Sequence, residues 1–267
     1  MSDICLITGD HPRHKYFAQK LIATGKVCSW VMEKREEFVP QPPTDLSDSL
    51  KALFDHHFNE RDRIESLVFG KFAEILEDSV PVFNVDMENL NDTKTIEFVK
   101  KFNPKLVVSY GCHKLSSNFI ETAGACFWNT HGGLSTEYRG VTTHFWPSYF
   151  LEPQMTGITL HETTNLLDGG AIIFQTAAPM VKGDSLHRLA ARNVEVFSEE
   201  LASRIMSLDF LNLPKGKKQT GYGKVFMSKD WRPEHLHLIY DVYEDRIVDA
   251  VLREEIKGRL PNLISVL

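Results

Sequence analysis

The chain has 267 residues, of which 42% are hydrophobic and 25% charged, with a formal net charge of −6. That length and balance fit one large globular domain, or one domain with an appendage, able to bury a core without disulfide or metal staples. The acidic balance argues against broad electrostatic binding of nucleic acid, no apolar run reaches the length of a membrane span, and the opening Met1-Ser2-Asp3-Ile4-Cys5 has no basic segment followed by an apolar one, so no signal peptide is expected.

Taken in chain order, Ile4-Cys5-Leu6-Ile7-Thr8 is a continuous apolar run ending at Gly9, which predicts a parallel strand covered on both faces. A helix is predicted from about Lys15 to Ala23, stopped near Gly25, and Val27 to Met32 reads as the next strand, so the chain opens β-α-β. Pro40-Gln41-Pro42-Pro43 marks a surface loop. From Leu46 to about Leu76 the apolar residues recur at helical spacing, which predicts a helical insertion or an elongated crossover helix over about 46–76.

Strands follow at Val80–Phe83 and Leu106–Tyr110, with a helix from Thr93 to Phe102 between them. Cys126 to Asn129 is a further strand with Asn129 at its carboxyl end, where open α/β sheets bind their ligands. Phe145 to Leu151 reads as a short helix, Gly157–His161 and Ala171–Gln175 as strands, and Asp184-Ser185 as the cap of a helix running to about Met206. The last fifty or so residues hold a strand at Lys224–Phe226 and a helix from about His235 to Leu252, too little for an independent core. The expected architecture is α/β: a Rossmann-like, mostly parallel twisted sheet with helices on both faces over 1–208, and a small α+β appendage over 209–267. Cys5, Cys28, Cys112 and Cys126 lack C-x-x-C spacing, which predicts reduced thiols, a cytoplasmic location and no metal site.

The chemistry-bearing residues gather in three short segments: Asn129-Thr130-His131 with the Gly132-Gly133 loop, Tyr138-Arg139-Gly140, and Leu167-Asp168-Gly169-Gly170. An Asn amide can hold a carbonyl oxygen as it gains charge. A His can move a proton near neutral pH, and an Asp can orient it, hold its charged form or accept a proton from an attacking amine. Each residue also has an ordinary reading: Asn caps turns, a single His is often structural, and Asp-Gly-Gly is a common turn. Spacing alone gives no reason for the three to converge.

The segments N-T-H-G-G-L-S-T-E-Y-R-G, T-G-I-T-L-H and L-D-G-G-A-I-I-F-Q, in that order, strongly resemble the folate-dependent formyltransferase superfamily, which includes glycinamide ribonucleotide transformylases, methionyl-tRNA formyltransferases and sugar N-formyltransferases. The match runs from about Leu106 to Gln175. The resemblance implies that Asn129, His131 and Asp168 are the catalytic trio and that N10-formyltetrahydrofolate is the donor. It implies that the acceptor amine attacks the formyl carbon, and that Asp168 keeps His131 charged. The family loop often carries S-L-L-P before x-Y-R-G; here Gly133-Leu134-Ser135-Thr136-Glu137 lacks that proline, which bears on the acceptor-side loop.

The folate is expected against Ser109, Tyr110, Gly111 and Cys112 and the loop carrying Thr163, Thr164, Leu167 and Gly169; Cys112 reads either as a reactive thiol or as a small wall residue. The acceptor is expected near His11, Arg13, His14, Tyr138, Arg139 and Trp146, with a solvated turn as the other reading of the first three and a core aromatic as the other reading of Trp146.

Within the superfamily, the shortness of the appendage and the acidic balance of the chain speak against a tRNA substrate. A first strand at Ile4 leaves no preceding regulatory domain of the formyltetrahydrofolate-hydrolase kind, and Gly9-Asp10-His11-Pro12-Arg13-His14 is not the Gly-rich loop of a purine-pathway transformylase. His144-Phe145-Trp146, Gly223 to Phe226 and Lys229-Asp230-Trp231 resemble the sugar N-formyltransferases, which implies a nucleotide-linked amino sugar as acceptor, no nucleic-acid or membrane partner, and leaves homodimerisation open. Outside that reading stand a non-catalytic ligand-binding protein and a metal hydrolase using His56-His57 or His235 and His237; neither histidine pair has a third ligand at familiar spacing.

Overall fold

The computed structural model describes residues 2–70, 79–221 and 223–267. In its first half, β1 (Ile4–Gly9), α1 (Pro12–Ile22), β2 (Val27–Glu33), α2 (Asp48–Phe69), β3 (Val82–Val85), α3 (Thr93–Lys101), β4 (Leu106–Tyr110), α4 (Ser117–Ala123) and β5 (Cys126–His131) alternate. There follow β6 (Tyr138–Gly140), α5 (Trp146–Tyr149), β7 (Ile158–Glu162), β8 (Ile172–Thr176), α6 (Leu186–Met206), β9 (Lys224–Phe226) and α7 (Ile247–Leu252).

The main sheet runs β3-β2-β1-β4-β5-β7-β8, parallel from β3 to β5 and antiparallel at β5–β7 and β7–β8. The alternation in β1 explains why it is buried throughout. Ile4 and Leu6 face a core shared with α1, α2 and α6, while Cys5 and Ile7 face a second core shared with α3 and α4. Each such buried side chain contributes about 1.5–3 kcal/mol. Sheet order reverses at β1 and β4, so the loops after these strands flank a crevice at the carboxyl ends.

Several boundaries differ from the sequence reading for local reasons. The first helix starts at Pro12, whose missing N–H costs nothing in a first turn. The segment predicted over 46–76 is a crossover helix between two parallel neighbours: α2 begins behind Ser47, whose hydroxyl accepts from the Leu50 N–H, and the part of the prediction over 71–76 lies outside the described residues. The third strand starts at Val82, not Val80, because Pro81 has no N–H to give the ladder; its carbonyl still accepts from Trp30. Short α4, between the Ser116 cap and Gly124 at φ 70°, was too brief for a periodicity signal.

The predicted helix from His235 to Leu252 is broken into a 3-10 turn, a π turn and α7, because Glu244 and Asp245 take φ values of 50° and 53°. That turn lets Asp245 Oδ1 accept the Leu186 N–H at 2.8 Å and close the start of α6. The C-terminal segment shares its core with the rest of the chain. Phe226, Leu236, Ile239 and Ile247 pack with Phe54, Leu134, Tyr138, Phe145, Trp146 and Leu186. The Y-R-G segment forms strand β6, paired with β9 in a two-stranded sheet. Among the described residues, no helix is long and apolar enough to cross a membrane.

Candidate active site

Asn129 and His131 alternate on β5 and point to one side of the sheet, and the antiparallel register sets Asn129 opposite His161 of β7. The loop between β7 and β8 returns Asp168 to the same place. His131 Nδ1 lies 3.3 Å from Asp168 Oδ2, and His161 Nε2 lies 3.4 Å from Asp168 Oδ1. Asp168 sits at φ 45°, a left-handed conformation that Asp tolerates better than most residues. It is fixed from several directions: the Gly140 N–H donates to Oδ2 at 2.8 Å, and Gln219 Nε2 donates to the Asp168 carbonyl at 2.7 Å. The structure therefore brings the three predicted residues together and adds His161, which lay unassigned in the T-G-I-T-L-H strand.

Hydrogen bonds to carbonyls assign the tautomers. His131 Nε2 is 2.7 Å from the Tyr138 carbonyl and must donate to it, so its Nδ1 faces Asp168. His161 Nδ1 donates to the Glu162 carbonyl at 2.8 Å, which turns Nε2 towards both Asn129 Nδ2 and Asp168 Oδ1, each at 3.4 Å. Ser109 Oγ donates to Asn129 Oδ1 at 2.8 Å and fixes which way the amide points. Gly133 is required for this packing: a Cβ there would stand 2.6 Å from His131 Nε2 and 2.5 Å from the Tyr138 carbonyl oxygen.

Burial pushes His131 below its ordinary value, and the pull of Asp168 and the Tyr138 carbonyl only partly opposes this. Burial and the carboxylate thus act in opposite senses on the imidazole, and Asp168 Oδ2 stands where it can hold the charge of a proton at Nδ1. Burial also works against the Asp168 carboxylate, but His131, His161 and the Gly140 N–H outweigh it and hold its carboxyl below the ordinary range.

The trio opens on a cleft of about 470 Å³. His11, Arg13, His14, Tyr110, Gly111, Cys112 and Leu167 line it with Asn129, His131 and Asp168. Cys112 is a wall residue whose thiol burial pushes up to about 12, leaving no thiolate to react. His14 is buried against Tyr110, close enough to Gly111 (φ 67°) that a Cβ there would overlap its ring.

Other predicted contacts are placed elsewhere. Ser109 stands behind Asn129. Thr163, Thr164 and Gly169 are not on the cleft: the Thr163 N–H ties the loop to Phe127, the Thr164 hydroxyl and Leu166 close a turn, and Gly169 completes it. Arg139 lies beside that turn, off the cleft, with Nε buried and unpartnered. Tyr138 and Trp146 are corrections. Tyr138 is buried, its hydroxyl bonded to Glu152 and its ring stacked on Phe226, so only its carbonyl serves the site. Trp146 stacks on Phe226 at 4.7 Å and donates to the Val141 carbonyl, as a core aromatic does.

The sequence reading missed the part of the wall that α2 supplies. His57, Arg61 and Glu65 line the cleft, as do His144 and His187. Their spacing of four along a helix was visible, but the apolar residues around them read as core. His57 Nδ1 lies 2.9 Å from the Tyr240 hydroxyl and 3.2 Å from His187 Nε2, and burial pushes His57 down to about 3. A second depression of about 860 Å³, lined by residues such as Lys34, Asp86 and Asn89, includes none of the trio. Among the described residues, no three His, Cys, Asp or Glu side chains are grouped to hold a metal ion.

A family model described as formyl transferase matches residues 57–205, more than half of the chain. The bifunctional polymyxin resistance protein ArnA of Wigglesworthia glossinidia brevipalpis is 31% identical over 111 residues, which cover 41% of this chain and 16% of that relative; the chain thus spans about a sixth of the relative's length. A sugar N-formyltransferase from Shewanella sp. FDAARGOS_354 superposes with a TM-score of 0.56 at 18% identity, over 88% of this chain and 86% of that one. Glycinamide ribonucleotide transformylase 1 from Symbiobacterium toebii gives a TM-score of 0.52 at 16% identity, over 81% of this chain and 92% of that one. At these identities the likeness establishes the fold, and the fold is common to neighbours with different acceptors.

Proposed function

Because this chain belongs to the formyl transferase family, we propose that it transfers a formyl group from N10-formyltetrahydrofolate to a primary amine, and that the amine belongs to a nucleotide-linked sugar. The observation that carries the reading is the convergence of Asn129, His131 and Asp168 on one cleft. The cleft volume of about 470 Å³ suits a flat heteroatom-rich ring beside a small acceptor group, and Val141, Leu167 and a buried, unpartnered Thr130 hydroxyl supply apolar wall and hydrogen-bonding capacity.

When bound, the folate supplies the formyl carbon and a nitrogen that must gain a proton as that carbon leaves. The protein's part is to hold charge and move that proton. The Asn129 amide, oriented by Ser109 and His161, has N–H capacity for an oxygen that gains negative charge. Nδ1 of neutral His131 takes the proton from the attacking amine, and the imidazolium so formed lies against Asp168. His131 then returns the proton to the departing nitrogen, so no net proton is gained or lost.

The preference for a sugar acceptor rests on the His144-Phe145-Trp146 and C-terminal segments and on a named sugar N-formyltransferase among the structures sharing the fold. The test is an acceptor screen: the chain, the formyl donor and a panel of amino-sugar nucleotides, glycinamide ribonucleotide and methionyl-tRNA, read by mass spectrometry for one added carbonyl. Product from a sugar nucleotide supports the reading. Product from another acceptor alone reassigns the substrate, and formate release at catalytic rates without an acceptor makes the chain a hydrolase.

A further inference from the structure

Residues four apart on a helix stack on one face, and α2 carries His57, Arg61 and Glu65 in such a column, all three on the cleft wall. Helix faces that pack on a core are normally apolar, so a polar column there needs partners. His57 has them in Tyr240 and His187. The other two residues are under-satisfied. Glu65 pairs through Oε1 with Arg13 at 2.6 Å, but Oε2 is buried without a partner. Arg61 lies over the rings of Phe38 and Phe58, 4.4 and 4.8 Å from their centres, and Nη2 donates to the Phe38 carbonyl. Its Nε is buried and unpartnered, and among the described residues no carboxylate stands within ion-pair distance of it.

The other arginines of this cleft are neutralised: Arg13 by Glu65, and Arg35 by Glu33 and Glu36. Burial, with Arg13 nearby, pushes Arg61 down to about 10, the mark of a cation short of countercharge. Nδ1 of His14, buried on the same cleft, is a further polar atom without a partner. A planar guanidinium clamped between two rings, with an N–H to spare, is preorganised for an anionic oxygen, and Glu65 Oε2 is suited to accept from a neighbouring hydroxyl. An anion flanked by hydroxyls is the chemistry of a sugar phosphate.

We propose that the inner face of α2 recognises the acceptor, with Arg61 binding its phosphoryl group and Glu65 an adjacent hydroxyl. This rests on the reading of the acceptor as a phosphorylated sugar derivative and names the residues that would select it. The same anionic chemistry could come from the glutamate carboxylates of the folate, so the test separates the two sources.

The full chain is titrated calorimetrically with inorganic pyrophosphate and, separately, with tetrahydrofolate, and both titrations are repeated with Arg61→Gln and Arg61→Met. Pyrophosphate affinity is expected to fall at least about tenfold in both variants, the loss of one charge-assisted contact, with tetrahydrofolate affinity unchanged. Absence of pyrophosphate binding to the unmodified chain, equal binding by variants and parent, or loss confined to tetrahydrofolate would each overturn the proposal. A readout independent of variant folding is phenylglyoxal labelling of the parent chain: pyrophosphate should protect Arg61, and equal labelling with and without it sinks the assignment. Neither measurement involves formyl transfer, so failure of every acceptor in the screen would count against the proposed reaction and not against this anion site.

Discussion

Asn129 and His161 face each other across the antiparallel β5–β7 pair, with Asn129 Nδ2 3.4 Å from His161 Nε2. His161 cannot swap its nitrogens, because Nδ1 is committed to the Glu162 carbonyl. Asn129 Oδ1 accepts from Ser109 on the other side, which directs Nδ2 towards His161. A β-sheet register thus fixes the direction of one amide, and that direction is the property an oxyanion contact needs.

Asn129→Ala should therefore lower kcat by about 10²–10³, the cost of one preorganised oxyanion donor, while leaving the thermal midpoint nearly unchanged. Steady-state kinetics beside a melting curve checks this. Full activity in the variant would remove the amide from the mechanism, and a collapse of the melting midpoint would make it structural.

The trio predicts a pH profile of definite sign. Burial lowers the His131 value from the ordinary 6.5, and the base is the neutral form, so kcat/KM should rise with pH through a midpoint below 6.5 and then level off. Asp168→Asn removes the carboxylate that raises His131, so the midpoint should move to lower pH while the plateau falls, because the imidazolium loses its counter-charge. A profile that falls with pH through the His131 midpoint would mean that the charged imidazole is the active form, and a midpoint that moves upward in Asp168→Asn would mean that the carboxylate does not raise His131.

Much of this architecture was written in the sequence, and the reasons differ by element. Apolar runs such as Ile4–Thr8 and Leu106–Tyr110 exceed what a half-exposed strand would carry, so they declared a buried parallel sheet. The ordered N-T-H, Y-R-G and L-D-G-G segments declared the trio. His161 and Ser109 were hidden because their contribution is a cross-strand register, which exists only once β4, β5 and β7 lie side by side. The α2 column was hidden for another reason. Phe54, Phe58, Ile64 and Phe69 share the helix with His57, Arg61 and Glu65, and one periodicity cannot say which stripe meets core and which meets ligand. Trp146 misled in the opposite sense, since an aromatic after the Y-R-G segment suits a sugar platform as well as a core.

Trp146 now separates those two readings experimentally. It is 3% exposed, stacked on Phe226, with its indole N–H on the Val141 carbonyl. Trp146→Ala should cost about 3–5 kcal/mol in urea unfolding, the range for deleting a large buried aromatic, with little change in acceptor KM for the fraction that folds. Unchanged stability with a KM raised tenfold would return Trp146 to the acceptor side.

Asp245 gives a stability prediction whose sign depends on pH. Burial, with Glu60 adding to it, raises its carboxyl from 3.8 to about 6, although the Leu186 N–H and Arg246 pull the other way. Its value in the folded state thus lies above that of the unfolded chain, and the fold prefers the protonated form. Below about 3.8 both states hold the proton and nothing is lost. As pH rises from 3.8 through about 6 the unfolded chain ionises first, so stability falls, and the full cost persists at neutral pH. Asp245→Asn keeps an oxygen for the Leu186 N–H and removes the charge. It should raise stability by about 1–2 kcal/mol at pH 7.5, allowing for partial solvent screening, and by progressively less as pH falls towards 4. Thermal unfolding of parent and variant across that range reads the difference directly. A variant less stable at pH 7.5, or a gain independent of pH, would show that the Asp245 carboxylate supports the turn into α7 by some means other than the single bond to Leu186.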